Sequence, residues 1–191
     1  MTTRILFVRH GETDWNVAGR IQGRTDVPLN DTGRSQARQV AATIASSPDA
    51  AEIARVVSSP FSRAVETAAP IAAALGLPGV DVDEAFAEQD MGVAEGVTWA
   101  DARLRWPDGI PGVESRPEIV ARVREAVART AVADATTVVV THGGVINAVN
   151  FVLSQRPEDY PGPARNVSVH EFVLDDDGLR RVEPSEAEQV A

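Results

Sequence analysis

The stretch Ile5-Leu6-Phe7-Val8-Arg9-His10-Gly11-Glu12-Thr13 lies close to the N-terminus, and its reading decides the fold. Four consecutive apolar residues followed by turn-forming residues fit a buried strand that empties into a loop. A histidine at the exit of such a strand, with glycine directly after it, is poorly placed for packing and well placed for chemistry. The strand holds the ring, and Gly11 lets backbone or a ligand come close. Arg9 adds a planar, permanently charged fork suited to phosphate. The same pattern returns far downstream, where Thr137-Val138-Val139-Val140-Thr141 runs into His142-Gly143-Gly144 and an apolar, helix-like stretch.

The chain has three histidines, and two of them end β-branched or apolar runs and precede glycine. In an open α/β sheet, ligands bind at the carboxyl ends of the strands, so both rings are expected in one pocket. Gly143-Gly144 opens a helix whose N-terminal amides and dipole favour an anion. A third element, Val56-Val57-Ser58-Ser59-Pro60-Phe61-Ser62-Arg63, is again a short strand, a turn and a helix start with an arginine. Arg9, His10, Arg63 and His142 thus sit at three strand ends, and Glu12 is the one carboxylate in those turns. Such a set suits a phosphoryl group. Two guanidiniums neutralise its oxygens while one imidazole attacks phosphorus and the other donates a hydrogen bond. The leaving alkoxide still needs a proton, and the acids Glu88, Asp90 and Glu95 lie in a glycine-containing, loop-like segment at 86–96.

Taken together, these blocks resemble the histidine phosphatase superfamily. Arg9-His10-Gly11-Glu12-Thr13, Asn16, Gln22-Gly23, Ser58-Ser59-Pro60 with Arg63 and Thr67-Ala68, Glu88 four residues before Gly92, and His142-Gly143-Gly144 occur in that family's order. The likeness runs from residue 4 to about 150 and resumes weakly at 166–174. It implies a three-layer α/β sandwich with a mostly parallel central sheet, phosphoglycerate mutase-like, with an antiparallel edge. It implies His10 as a nucleophile that becomes phosphohistidine. Arg9, Arg63 and His142 then bind the phosphoryl oxygens, with Gly143 beside them. Glu88 protonates the leaving group and later activates water, and Asn16, Gln22 and Gly23 contact phosphate or the near part of the substrate. No metal and no cofactor are expected, since two arginines do the electrostatic work.

Two departures bear on the substrate wall: Met91 stands where an aromatic is usual, and Ala94 where tryptophan is common. The segment at 97–111, holding Trp99 and Trp106, is short. Phosphoglycerate mutases of the superfamily carry a longer insertion and a Tyr-Gly pair there, so a phosphatase acting on a small phosphate ester is favoured. A mutase, a phosphoprotein phosphatase and a phosphate-binding module without turnover are the alternatives. Other polar residues have plainer readings. Glu12 and Thr13 position the loop, and His170 follows strand alternation. Trp15, Trp99 and Trp106 are able to wall a pocket, with anchoring of their segment to the core the favoured reading for Trp99 and Trp106. Asp101, Asp108 and Glu114 discourage highly charged substrates if they line the pocket.

A length of 191 residues suits one domain, 1–191, with a frayed polar tail at 184–191. The net charge of −10, with every basic residue an arginine, argues against nucleic acid and anionic membranes as partners. With no cysteine, disulfides and thiolate metal sites are ruled out. No signal-like or 18-residue apolar stretch appears, so a cytoplasmic protein is expected. The oligomeric state stays open, a homodimer included. Helices are expected from Asn30 as cap to about Ser46, from Ser62 toward Leu75 with a disturbance at Pro70, and from a Ser115/Glu118 capping box to about Val132. A further helix after Gly144 has Val145, Ile146, Val149 and Val152 on its apolar face, and a hairpin spans 167–182 around Asp175-Asp176-Asp177-Gly178.

Overall fold

The computed structural model describes residues 3–154 and 160–182. The expectation of a frayed tail at 184–191 therefore concerns residues outside the described ones. Among the described residues, one sheet runs in the order β3-β2-β4-β1-β5-β6. Its strands are β1 (Thr3–Arg9), β2 (Ile53–Ser58), β3 (Asp81–Val82), β4 (Thr136–Thr141), β5 (Val169–Asp175) and β6 (Gly178–Arg181). The first four pair in parallel, whereas β5 lies antiparallel to β1 and β6 antiparallel to β5.

Strand alternation assigns the apolar residues to two cores. Ile5, Phe7, Val57, Val139 and Phe172 enter one cluster with α5 (Arg116–Thr130) and α6 (Gly143–Leu153). Val8, Val56, Val138 and Val140 enter the other, with α2 (Asp31–Ala45) and α3 (Ser62–Ala74). A strand covered by helices on both faces needs an unbroken apolar run, which is why these strands do not alternate with polar residues. The result is the expected three-layer sandwich with a mostly parallel sheet.

The helix signals are seen in the local geometry. Asn30 caps α2 by accepting from the Gly33 amide, and Ser115 with Glu118 forms a reciprocal capping box on α5. α3 differs from expectation, for it runs unbroken through Pro70. Proline removes one backbone hydrogen bond there, but Ala64, Thr67, Ala68, Ile71 and Ala72 are buried, and tertiary packing holds the helix together. On α6, Val145, Ile146 and Val149 are buried as expected, whereas Val152, on the same side of the helix but in its last turn, is 43% exposed.

Two short helices were not foreseen, α1 (Asp14–Val17) and α4 (Trp99–Arg105), capped by Thr13 and Thr98. α4 rests on a third, small cluster in which Trp106 packs against buried Ile21, Met91, Ala94 and Ala102. Trp99, by contrast, does not anchor the segment: it is 48% exposed.

Strand register sets up the site. Arg9 pairs with Thr141 and Ser58 with Val140, so β1, β4 and β2 end at one level. The His10 amide continues the ladder to the Thr141 carbonyl (3.0 Å) and the Ser59 amide to the Val140 carbonyl (2.9 Å). His10, His142 and Ser59 therefore leave three neighbouring strands side by side.

Candidate active site

His10 is buried, and its Nδ1 lies 2.7 Å from the carbonyl oxygen of Gly11. A carbonyl only accepts, so Nδ1 carries the proton and Nε2 keeps its lone pair. The backbone around the ring is tied down as well. Asn166 Nδ2 donates to the His10 carbonyl (2.9 Å), and the Gly11 amide donates to Thr67 Oγ1 (3.0 Å). Gly11 crosses the start of α2 so closely that a Cβ there would stand 2.6 Å from the Gly33 carbonyl oxygen. Burial, then the charges of Arg63 and Arg9, hold the imidazole pKa well below its ordinary value, so the ring is neutral.

The His142 ring centroid is 5.2 Å from that of His10. His142 Nε2 stands 2.6 Å from Ser59 Oγ, while Nδ1 is buried without a protein partner. Burial first, and then Arg63, His10 and Arg9, depress its pKa too. Arg63 is fully buried, with Nη1 donating to the Thr25 carbonyl and Nη2 to the Gly23 carbonyl, each at 2.9 Å. Its guanidinium also covers the Phe61 ring at 4.8 Å. Arg9 donates through Nη1 to the Ala164 carbonyl at 2.8 Å. Gly143 makes room for it, since a Cβ there would be 3.3 Å from Arg9 Nε.

Three buried nitrogens thus remain unpaired around His10: Arg9 Nε, Arg63 Nε and His142 Nδ1. The two arginine nitrogens can only donate. An unpaired buried donor costs about 1–3 kcal/mol, and a cluster of them under two positive charges fits an anion.

Glu88 follows the turn at Glu84–Phe86, whose Phe86 is buried in the core. Glu88 Oε1 accepts from the Gln89 amide (2.8 Å) and Oε2 from the Gly144 amide (3.2 Å). The helix N-terminus foreseen as an anion site is thus partly occupied by the protein's own carboxylate. A Cβ on Gly144 would run into that carboxylate, which would have to shift to make room. Burial raises the Glu88 pKa, outweighing those two amides and the charges of Arg63 and Arg9, which lower it. The neighbouring acids have other tasks. Glu95 accepts from the amides of Arg24 and Thr25 and from Thr25 Oγ1, and Asp90 accepts from the Gly92 amide.

Asn16, Gln22, Gly23, Gly143 and Glu88 all line one cavity of about 400 Å³ with Arg9 and His10. Arg63 and His142 are fully buried and are not among the residues that line it. Asn16 lines the cavity and also caps a turn, its Oδ1 taking the Thr13 amide (3.1 Å) in a capping box. Glu12 is structural, held by Asn30 Nδ2 (3.0 Å). His170 lies on β5 between Asn150 and Ser168, away from the cavity, and burial lowers its pKa to about 4. None of Asp101, Asp108 and Glu114 lines the cavity. Glu114 pairs with Arg122 at 2.6 Å, and Asp101 takes the hydroxyl of Thr98. Met91 does line it, whereas Ala94 is turned into the third cluster.

Ser59 and Asn166 were not expected as site residues, nor were Arg20, Arg116 and Tyr160, which line the same cavity, whereas Trp99 lines it as one of the tryptophans able to wall a pocket. Ser59 had a signal in its place at a strand end. The outer residues had none, because their approach depends on loops that no periodicity encodes. Among the described residues, no cluster of three or more His, Asp or Glu side chains offers a metal site. No helix among them is long and apolar enough to cross a membrane.

Comparison with known proteins shows the family. The family profile of the histidine phosphatase superfamily (branch 1) matches residues 5–185. The uncharacterized phosphatase PhoE of Bacillus subtilis is 39% identical over 151 residues, covering 77% of this chain and 75% of that protein. Glucosyl-3-phosphoglycerate phosphatase of Mycobacterium tuberculosis is 33% identical over 175 residues, covering 81% of this chain and 76% of the relative. Among solved structures, mycobacterial hydrolase 1 superposes with a TM-score of 0.82 at 29% identity, over 96% of this chain and 98% of the other. A strand-end histidine pair, two arginines behind it and a matching profile over nearly the whole chain have one reading: the chain belongs to the histidine phosphatase superfamily.

Proposed function

We propose that the protein is a phosphomonoesterase that works through a phosphohistidine on His10. The observation that carries this reading is the placement of a neutral His10, its Nε2 lone pair free, beside three unpaired buried nitrogens. In the first step Nε2 forms a bond to phosphorus as the ester P–O bond breaks. Arg9, Arg63 and the Nδ1–H of His142 take up charge on the phosphoryl oxygens. Glu88, its pKa raised by burial, gives its proton to the departing alkoxide, which leaves as an alcohol. In the second step water attacks phosphorus, Glu88 accepts the water's proton, and the P–N bond breaks to release inorganic phosphate. Asn16, Gln22 and Gly23 orient the ester at the inner end of the cavity. Two relatives named as phosphatases, at 39% and 33% identity, support hydrolysis as the outcome rather than return of the phosphoryl group.

The test is inorganic phosphate release from a panel of phosphate esters with chelator present, wild type against His10→Ala, together with acid-quench trapping of a phosphoenzyme. Turnover and an acid-labile phosphoenzyme in wild type, both lost in His10→Ala, are the expected results. No release from any ester by wild type would overturn the reading.

A further inference from the structure

Gln89 directly follows Glu88 and lines the same cavity, yet neither chemical step has used it. One contact orients its side-chain amide: Nε2 donates to the Glu114 carbonyl at 2.8 Å. A carbonyl only accepts, so the NH2 end must face Glu114, and this fixes which end of the amide is the oxygen. That oxygen lies against the start of α6. A Cβ on Gly144 would stand 3.2 Å from Gln89 Oε1 and would also meet Glu88 Oε1, so the two oxygens border one spot on the cavity wall. None of the described residues donates to Gln89 Oε1.

The support behind the amide is rigid. Arg122 grips the Glu114 carboxylate twice, Nε to Oε1 at 2.6 Å and Nη2 to Oε2 at 2.9 Å. Its Nη1 donates to the Ala85 carbonyl at 2.6 Å, and the Glu114 amide donates to the Asp90 carbonyl at 2.9 Å. The segment carrying Glu88 and Gln89 is thus tied on both sides to one ion pair, itself mostly buried. A free glutamine side chain samples many rotamers, whereas this one holds its acceptor in a fixed place beside the acid.

An acceptor beside Glu88 tells the two chemical steps apart. In-line displacement puts the ester oxygen, and later the attacking water, in the same place opposite His10 Nε2 and within reach of Glu88. There the ester oxygen carries carbon, whereas water carries a second hydrogen. We propose that Gln89 is a further catalytic residue of the hydrolytic step: its Oε1 accepts a hydrogen bond from the water's second O–H and so favours water over an alcohol as phosphoryl acceptor. This rests on the phosphohistidine reading of His10. In that step a water lone pair forms the new P–O bond, and the P–Nε2 bond breaks with its electron pair left on Nε2. One water proton passes to Glu88. The other stays on the oxygen that leaves within inorganic phosphate, held by Gln89 Oε1. An alcohol attacking from the same place sets carbon against that acceptor and gains nothing from it.

The experiment is rapid-quench kinetics with an alkyl phosphate on wild type and Gln89→Met, in water and with methanol added as a competing acceptor. Methionine keeps much of the side-chain volume and offers no comparable acceptor. Phosphoenzyme formation from an alkyl ester depends on Glu88, so it reports any disturbance of the acid and should change by no more than about twofold. Phosphoenzyme hydrolysis should slow by about tenfold, so that the intermediate accumulates, and the ratio of methyl phosphate to inorganic phosphate should rise by about the same factor. Circular dichroism confirms the fold, with Gln89→Leu as the second variant if Gln89→Met does not fold. Equal slowing of formation and hydrolysis would reveal a merely structural role and overturn the proposal, as would unchanged hydrolysis or an unchanged product ratio. A wild type that forms no phosphoenzyme would instead overturn the phosphohistidine reading, and the role of Gln89 with it.

Discussion

Ser59 Oγ and His142 Nε2 stand 2.6 Å apart, although 83 positions separate them in the chain. Pairing of Ser58 with Val140 brings them together at the ends of β2 and β4. The Phe61 amide approaches the same hydroxyl oxygen at 3.4 Å as a donor, which leaves the hydroxyl hydrogen for the imidazole. The ring proton of neutral His142 is then on Nδ1, the buried nitrogen without a protein partner. Ser59→Ala should lower kcat about tenfold, the worth of one lost hydrogen bond in the transition state, while Ser59→Thr keeps most of it. Steady-state kinetics on both variants test this, and equal activity in Ser59→Ala would show that the hydroxyl plays no part in catalysis.

Gly144→Ala places a methyl group against the Glu88 carboxylate. The acid must move, and about a hundredfold of kcat should go with it on alkyl phosphates, whose leaving groups need a proton. Aryl phosphates need that proton less and should lose less. Glu88→Gln should show the same asymmetry. Rates on an alkyl and an aryl ester, with circular dichroism to confirm the fold, test this; equal losses on both would deny Glu88 the acid's role.

The two shifted pKa values set the pH profile. His10 must be neutral, and its pKa is lowered, so the rising limb of kcat/KM is displaced to the acid side of 6.5. Glu88 must be protonated, and its pKa is raised from 4.5, so the falling limb is displaced upward. The maximum is therefore expected on the acidic side of neutrality. Glu88→Gln should abolish the falling limb, which a rate profile between pH 4 and 8 would reveal.

Stability should follow pH through the histidines, all of which have lowered values in the folded state. Above an unfolded pKa of about 6.5 they are neutral in both states and contribute no slope. Below it the unfolded chain takes up protons that the folded chain refuses, so stability falls with falling pH. For His170 the loss continues until its folded value of about 4. Urea midpoints in phosphate-free buffer should decline over that window, and His170→Gln should flatten the slope. An unchanged slope would show that His170 is not protonated on unfolding.

Inorganic phosphate should stabilise the folded protein through the unpaired nitrogens of Arg9, Arg63 and His142. At a hundred times its Kd the gain is about 2.7 kcal/mol, visible as a rise in Tm. Arg9→Gln should remove most of that rise. Arg9 is the better probe because Arg63 also ties down the backbone at Gly23 and Thr25.

The amino-acid sequence by itself determined the alternation of strands and helices, because periodicity and caps are local. The unbroken runs at 5–8 and 137–141 predict strands buried on both faces, and Asn30, Ser115 and Glu118 mark helix starts that the structure has. It also put His10, Arg63 and His142 each directly after a strand or its turn, at the carboxyl end of the sheet, while the strand order that sets them side by side is tertiary. Tertiary structure alone decided how those groups are used. The Gly144 amide engages Glu88 rather than remaining free for a ligand, Pro70 is absorbed by a buried helix, and Val152 is left exposed in the last turn of its helix. It also decided the outer wall, where Arg20, Trp99, Arg116 and Tyr160 converge from four separate segments. Their meeting depends on how loops cross above the sheet, and loop crossings are set by packing between distant residues, which no local pattern records.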